Sequence, residues 1–170
     1  MIDLKQEDNT SCFYVYMKTM KDYIWVCSQF ILFGVYLIPV SMVTWQGHYL
    51  WATAGVILMA SGLIMVILAL LRLNTNLSPF PSPGRNSELI TNGIFKWVRH
   101  PIYGGIILVA TGYAIFDTSF YKLLIAGVLY IFFYYKSNFE EKLLKERYSS
   151  YEAYSRQTSR FFPDVTKVTD

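Results

Sequence analysis

Two clusters of polar residues in this sequence have the types and spacing to do chemistry. The first is Arg99-His100-Pro101-Ile102-Tyr103-Gly104-Gly105. Proline is favoured at the first helical position, so Pro101 is expected to open a helix with His100 at its cap. The free N–H groups of that turn would then lie beside Arg99 and His100, an arrangement suited to a carboxylate or a phosphate. Gly104 and Gly105 leave room on the same turn for a ligand or a second helix. The plainer account of Arg99 and His100 is a pair of interfacial residues facing lipid phosphates.

The second cluster is Lys136, Glu140 and Glu141, in a stretch that keeps a helical period through Phe139, Leu143, Leu144, Tyr148 and Tyr151. Lys145 follows Glu141 by four residues, the favoured order for a surface ion pair, which gives Glu141 an ordinary role. Glu140 has Leu144 at that spacing and is expected nearer a membrane edge. A carboxylate there could face a bound cation or ammonium, with Lys136 one turn earlier on the same side.

The elements that must position these clusters read as membrane helices. Of the residues 54% are hydrophobic and only 16% charged, well to the apolar side of a soluble domain. Between Asp22 and Arg72 the sequence has no Asp, Glu, Lys or Arg. A spanning helix needs about 20 apolar residues, so this stretch divides into spans near Tyr23 to Trp45 and Tyr49 to Leu71, a tight hairpin turned at Gln46-Gly47-His48. A second apolar region, Ile102 to Tyr135, is interrupted at Asp117-Thr118-Ser119 and Lys122. Tyr113, Phe116, Phe120 and Tyr121 would form an aromatic belt there, with Lys122 snorkelling outward. The expectation is an all-α membrane bundle of about four transmembrane helices, the last continuing into a C-terminal amphipathic helix. The whole of 1–170 reads as one domain, with an N-terminal hairpin over 22–71 and the polar machinery over 72–163.

Lysine and arginine concentrate in the N-terminal arm, the middle connector and the C-terminal region, and both hairpin turns together hold only Lys122. The positive-inside rule then places both termini and the connector in the cytoplasm, with His48 and Asp117 on the opposite face. Contact with anionic lipid explains the formal charge of +3 without any nucleic-acid partner. The first 21 residues mix acids with lysines and lack a separate apolar core, which argues against a cleaved signal peptide. Cys12 and Cys27 have no C-x-x-C or His at ligand spacing, so no metal site is expected. Pro79, Pro81, Pro83 and Gly84 forbid a continuous helix in the connector. The stretch Gly93 to Val98 is aromatic enough to pack back on the bundle, and the aromatic tail from Tyr151 to Pro163 is expected to fold onto the same face.

The ordered pair of motifs, Arg99 to Gly105 and then Glu140-Glu141, Leu144, Tyr151, Tyr154, Arg160 and Pro163, resembles the isoprenylcysteine carboxyl methyltransferase and phospholipid methyltransferase superfamily. The likeness covers Pro79 to Pro163, and the first two spans match in character only. It implies a membrane methyltransferase that binds S-adenosylmethionine from the cytosol and methylates a lipidic or prenylated substrate. By position it implies a cofactor set of Ser87, Glu88, Leu89, Ile90, Phe95, His100, Pro101, Ile102, Tyr103, Glu140 and Glu141. Arg99, Lys136 and Glu140 would stand nearest the chemistry, Lys136 occupying the place where carboxyl methyltransferases carry an arginine. Which of Glu140 and Glu141 faces the cofactor stays open.

Methyl transfer from a sulfonium needs chiefly alignment and exclusion of water, so a missing nucleophile triad is no objection. A carboxylate acceptor would need no general base, whereas an ammonium must first lose a proton. An isoprenylcysteine-like carboxylate is the first expectation for the acceptor, and a phospholipid amine the alternative. A non-catalytic scaffold or transporter subunit would ordinarily carry ionisable residues inside its spans, and here they gather at the rim.

Overall fold

The computed structural model describes residues 4–40, 44–45, 49–73 and 89–164, with side chains from Met20 onward. Among the described residues there are five α-helices and no strand: α1 (Leu4–Leu37), α2 (Tyr49–Leu73), α3 (Pro101–Phe116), α4 (Phe120–Arg147) and α5 (Tyr151–Gln157), with a 3₁₀ turn at Gly93–Lys96. The ends have local causes. Pro39 biases Ile38 away from helical backbone, so α1 stops at Leu37. Pro101 opens α3 at its first position. Thr118, at φ 49, makes the turn after α3, and Ser119 caps α4 by accepting a hydrogen bond from the Lys122 N–H at 3.3 Å.

The first expected span is therefore shifted. Its helix begins well before Tyr23 and ends well before Trp45, because apolar content carries the hydrophobic run past Pro39 while backbone geometry does not. Trp45 instead donates its backbone N–H to the Thr118 carbonyl at 3.1 Å, and Thr44 pairs with Ser119. The segment after α1 thus meets the α3–α4 turn at one end of the bundle. Residues 46–48, the expected turn of the first hairpin, lie outside the described residues.

The second correction concerns partners. The two N-terminal helices are not packed extensively on each other: α2 packs on α3, α3 on α4, and α4 on α1. The reason for α2–α3 is a shared row of glycines. A Cβ on Gly55 would sit 2.6 Å from the Gly112 carbonyl oxygen, and one on Gly62 would sit 2.6 Å from that of Gly105. Each pair of glycines on one helix is two turns apart, so the backbones touch twice along one antiparallel seam. On the other side of the bundle, hydroxyls tie α1 in place. Tyr36 donates to the Ala110 carbonyl and Tyr121 to the Val35 carbonyl, each at 2.6 Å. Tyr36, Ile107, Ala110, Leu129 and Phe133 form the core between them.

By length and composition α2 is the one described helix that is long and apolar enough to cross a membrane, and α3 is a shorter apolar helix. Only 22% of the most apolar stretch of α2 is buried, so it is no core helix of a soluble bundle. Leu50, Ile57, Leu63, Ile64 and Leu71 point outward. The 16 residues of α3 span roughly 24 Å, short of a hydrocarbon core of about 30 Å. The 28 residues of α4 run unbroken from the apolar stretch through Lys136 to Arg147, as the sequence pattern required.

Candidate functional site

The polar site forms where α3 begins, α4 emerges from its apolar stretch, and the chain after α5 returns across both. Just before α3 the chain pairs in parallel with that returning strap. Val98 pairs with Ser159, the Ser159 N–H reaches the Trp97 carbonyl at 3.1 Å, and the Arg99 and His100 N–H groups reach the Ser159 and Arg160 carbonyls at 2.8 and 2.9 Å. A Cβ at Gly104 would collide with the carbonyl of Phe161. Gly104 thus admits the strap, and Gly105 admits α2.

The strap carbonyls accept from Arg99 and from the cap residue His100, and the Phe161 carbonyl lies against Gly104 on the first turn of α3. The His100 side chain makes no capping hydrogen bond. It turns inward instead and is 8% exposed.

There it meets both carboxylates. His100 Nδ1 lies 3.4 Å from Glu140 Oε2, and Nε2 lies 3.2 Å from Glu141 Oε1. Glu141 also receives the Arg99 Nε–H at 3.0 Å on Oε1 and the Arg160 Nη2–H at 3.2 Å on Oε2. The expected surface pair of Glu141 with Lys145 is therefore not what forms: Glu141 points into the molecule and Lys145 is exposed. A buried carboxylate with three cationic neighbours is far better compensated than one left facing a mobile lysine in water. Burial alone would raise the Glu141 carboxyl, but His100, Arg99 and Arg160 outweigh it and hold the group down to about 2. For His100, burial disfavours the cation, and the two glutamates more than offset that and raise its pKa.

Arg99 makes contacts with three segments. Besides Glu141 it donates to the Ser155 carbonyl at 2.8 Å and to the Thr158 carbonyl. It joins α4, α5 and the strap. Glu140 has a different setting. Its Oε1 accepts the Tyr103 hydroxyl at 2.5 Å, and its side chain keeps 13% exposure. The Tyr103 ring lies between those of His100 and Phe133, nearly parallel to both, with centroids 5.6 and 4.6 Å away. Lys136 is 1% exposed, sits 5.2 Å from the centre of the Tyr103 ring, and donates to Gln29 Oε1 at 2.6 Å. Its electrostatic neighbours are Glu140 and Asp22.

Of the expected site residues, the structure thus brings Arg99, His100, Tyr103, Glu140 and Glu141 into one cluster with Lys136 at its edge. Pro101 is buried and Ile102 half-buried on the first turn of α3. Phe95 is buried to one side, and its carbonyl accepts the Tyr154 hydroxyl at 2.7 Å. Leu89 and Ile90 are half-buried at the start of the described connector, and Ser87 and Glu88 lie outside the described residues. Arg160, Asp22 and Gln29 were given no role from sequence. Gln29 carried a usable signal, as an amide in a stretch otherwise free of strong polar groups. Arg160 stood in the motif that carries the resemblance, but its pairing with Glu141 joins two distant segments and could not be read from local pattern. Among the described residues no group of His, Cys, Asp and Glu side chains is arranged to hold a metal ion.

The arrangement supplies a carboxylate with residual exposure, a stacked aromatic column and an excess of cations over acids. Arg99, His100, Arg160 and Lys136 face Glu140, Glu141 and Asp22. Such a set fits a zwitterion. Comparison with known proteins adds one finding: the family model described as phospholipid methyltransferase matches residues 50–151, from the first turn of α2 to the first residue of α5. No curated protein matches the chain.

Proposed function

This chain belongs to the phospholipid methyltransferase family, within a superfamily of membrane methyltransferases, and we propose that it transfers the methyl group of S-adenosylmethionine to a lipidic acceptor at the membrane surface. The observation that carries the reading is the convergence of Glu140 and Glu141 on His100 beside the Tyr103 ring. When bound, the cofactor supplies a sulfonium-activated methyl group. Glu140 would hold its ammonium, since that carboxylate meets only the Tyr103 hydroxyl and His100 whereas Glu141 is already bound by Arg99, His100 and Arg160. The cation excess around His100 and Arg160 would balance its carboxylate. Arg99 and Glu141 then act through others, locking the strap to α4 so that Glu140 keeps its direction.

Transfer breaks the methyl–sulfur bond, returns that electron pair to sulfur, and forms the new bond from an acceptor lone pair. The chain's part is to align the two groups and keep water out. A carboxylate oxygen as acceptor needs no proton removed, whereas an ammonium must first lose one. We therefore keep a carboxylate-bearing, isoprenylcysteine-like lipid as the first reading of the acceptor and a phospholipid amine as the second, the latter favoured by the family match. The same reading places four helices, α1 to α4, across the bilayer with both termini and the site on the cytoplasmic side. Incubation with methyl-labelled cofactor and a panel of carboxylate- and amine-headed lipids tests the reaction. Base-labile label means an ester, base-stable label an N-methyl group, and no label in any lipid removes the proposal.

A further inference from the structure

Beside the cluster lies a cleft of about 550 Å³ between α1 and α4, within the range of small-molecule sites. Its α4 wall is Tyr135, Asn138, Phe139, Lys142 and Lys145, spaced three and four residues apart and hence on one helical face. Trp25 of α1 closes the opposite side, its ring 6.2 Å from that of Phe139. The inner end is the Glu141–Arg160 pair, so the cleft opens directly onto the cluster.

The charges in this cleft do not cancel. Glu141 is already compensated by Arg99, His100 and Arg160. Lys142 and Lys145 are exposed, and among the described residues neither makes an ion pair. The acid that acts on Lys145 is Glu152, which Arg156 holds at 2.8 Å. Two cations thus stand at the mouth. At the other end Trp25, Tyr135 and Phe139 are side chains of the kind that settle at a membrane–water boundary.

We propose that this cleft is the headgroup subsite of the acceptor and that Lys142 and Lys145 select a membrane amphiphile whose head carries net negative charge. The proposal rests on the methyltransferase reading above, and it assigns specificity to two residues outside the cofactor cluster. The apolar chain of the amphiphile would leave past Trp25 and Tyr135, while the lysines hold the anionic head beside Glu141 and Arg160. A zwitterionic head gains less from two uncompensated cations, and a cationic head is repelled.

Direct binding separates this proposal from the reading beneath it. Brominated lipids quench tryptophan at contact, and the full chain and Trp25→Phe, compared in the same detergent, isolate the signal of the cleft. Carboxylate-headed and phosphatidylglycerol lipids are expected to quench Trp25, identifying which anion is preferred, and phosphatidylcholine to quench it weakly. In the double variant Lys142→Gln/Lys145→Gln the apparent affinity for anionic lipid should fall about tenfold or more, at unchanged S-adenosylmethionine affinity, and arginine at both positions should restore it. In turnover the double variant should raise KM for the acceptor and leave kcat in place. Equal quenching by anionic and zwitterionic lipids, or unchanged lipid affinity in the double variant, overturns the proposal. So does a loss of cofactor affinity, which would assign the cleft to the cofactor instead. Charge-selective binding without methyl transfer to any lipid would overturn the acceptor role together with the methyltransferase reading, while leaving a lipid site.

Discussion

The α2–α3 seam and the polar cluster at the opening of α3 lie on the same helix and are held by opposite means. The seam works through missing side chains: Gly55, Gly62, Gly105 and Gly112 let two backbones meet, with no charge involved. The cluster works through an excess of side-chain contacts, with Arg99, His100, Glu141 and Arg160 drawn from three separate stretches of chain. Steric contact of this kind has no second arrangement, since a backbone has nowhere to move. Ionic contacts do, because a ligand's carboxylate or ammonium can replace a partner of like charge. The helix is thus anchored by its glycines and keeps its adaptable chemistry at one end.

The sharpest way to break this division is to remove the centre of the cluster. Glu141→Gln leaves the half-buried Arg99 and Arg160 without their shared counter-charge, and stability should fall by about 3 kcal/mol, measured by thermal or denaturant unfolding in detergent. A loss no larger than that of a surface change would show that the three cations are satisfied elsewhere. Next comes the seam: Gly105→Ala or Gly62→Ala forces a Cβ against backbone and should cost about 1–3 kcal/mol. Gly127→Ala, where nothing lies within 4 Å, should change stability by no more than about 0.5 kcal/mol. Similar effects at all three positions would mean that the two helices part readily.

Glu140→Gln distinguishes the neighbours within the cluster. It keeps an acceptor for Tyr103 but removes the charge proposed to hold the cofactor's ammonium, worth about 1.5–3 kcal/mol. Affinity for S-adenosylmethionine should drop roughly tenfold to a hundredfold in calorimetric titration, with a smaller loss of stability than Glu141→Gln. The opposite order would exchange the roles of the two glutamates.

The mildest test is pH. Glu141 is depressed from 4.5 to about 2, so its contribution is present above about 4.5 and is lost as pH falls through 2. His100 is raised above 6.5, so its contribution is complete below that value and is lost as pH climbs through its folded pKa. The unfolding temperature should peak between these limits, and His100→Gln should remove the decline on the alkaline side. An alkaline decline that survives in that variant would assign it to another group.

Much of this was legible before any coordinates. Pro101 as the first residue of α3, the unbroken run of α4 past Lys136, and the return of the aromatic tail all follow from local rules of proline, periodicity and composition. The pairing of Glu141 with Lys145 failed, although the spacing favoured it. Spacing along one helix says which residues are neighbours on it, but not whether a distant arginine offers a drier and stronger contact.

What the sequence determined by itself is therefore whatever one segment decides alone: where helices begin, which stretches are apolar, and that Arg99, His100, Glu140 and Glu141 are reactive types near an apolar boundary. The tertiary structure alone decided that α2 joins α3 through glycines while α1 joins α4, that the strap pairs with the chain just before α3, and that Arg160 completes the cluster. The physical reason is range. Helix propensity and hydropathy act within a few residues, whereas glycine contacts and buried charge pairs gain their free energy only when segments far apart in sequence have already been brought together.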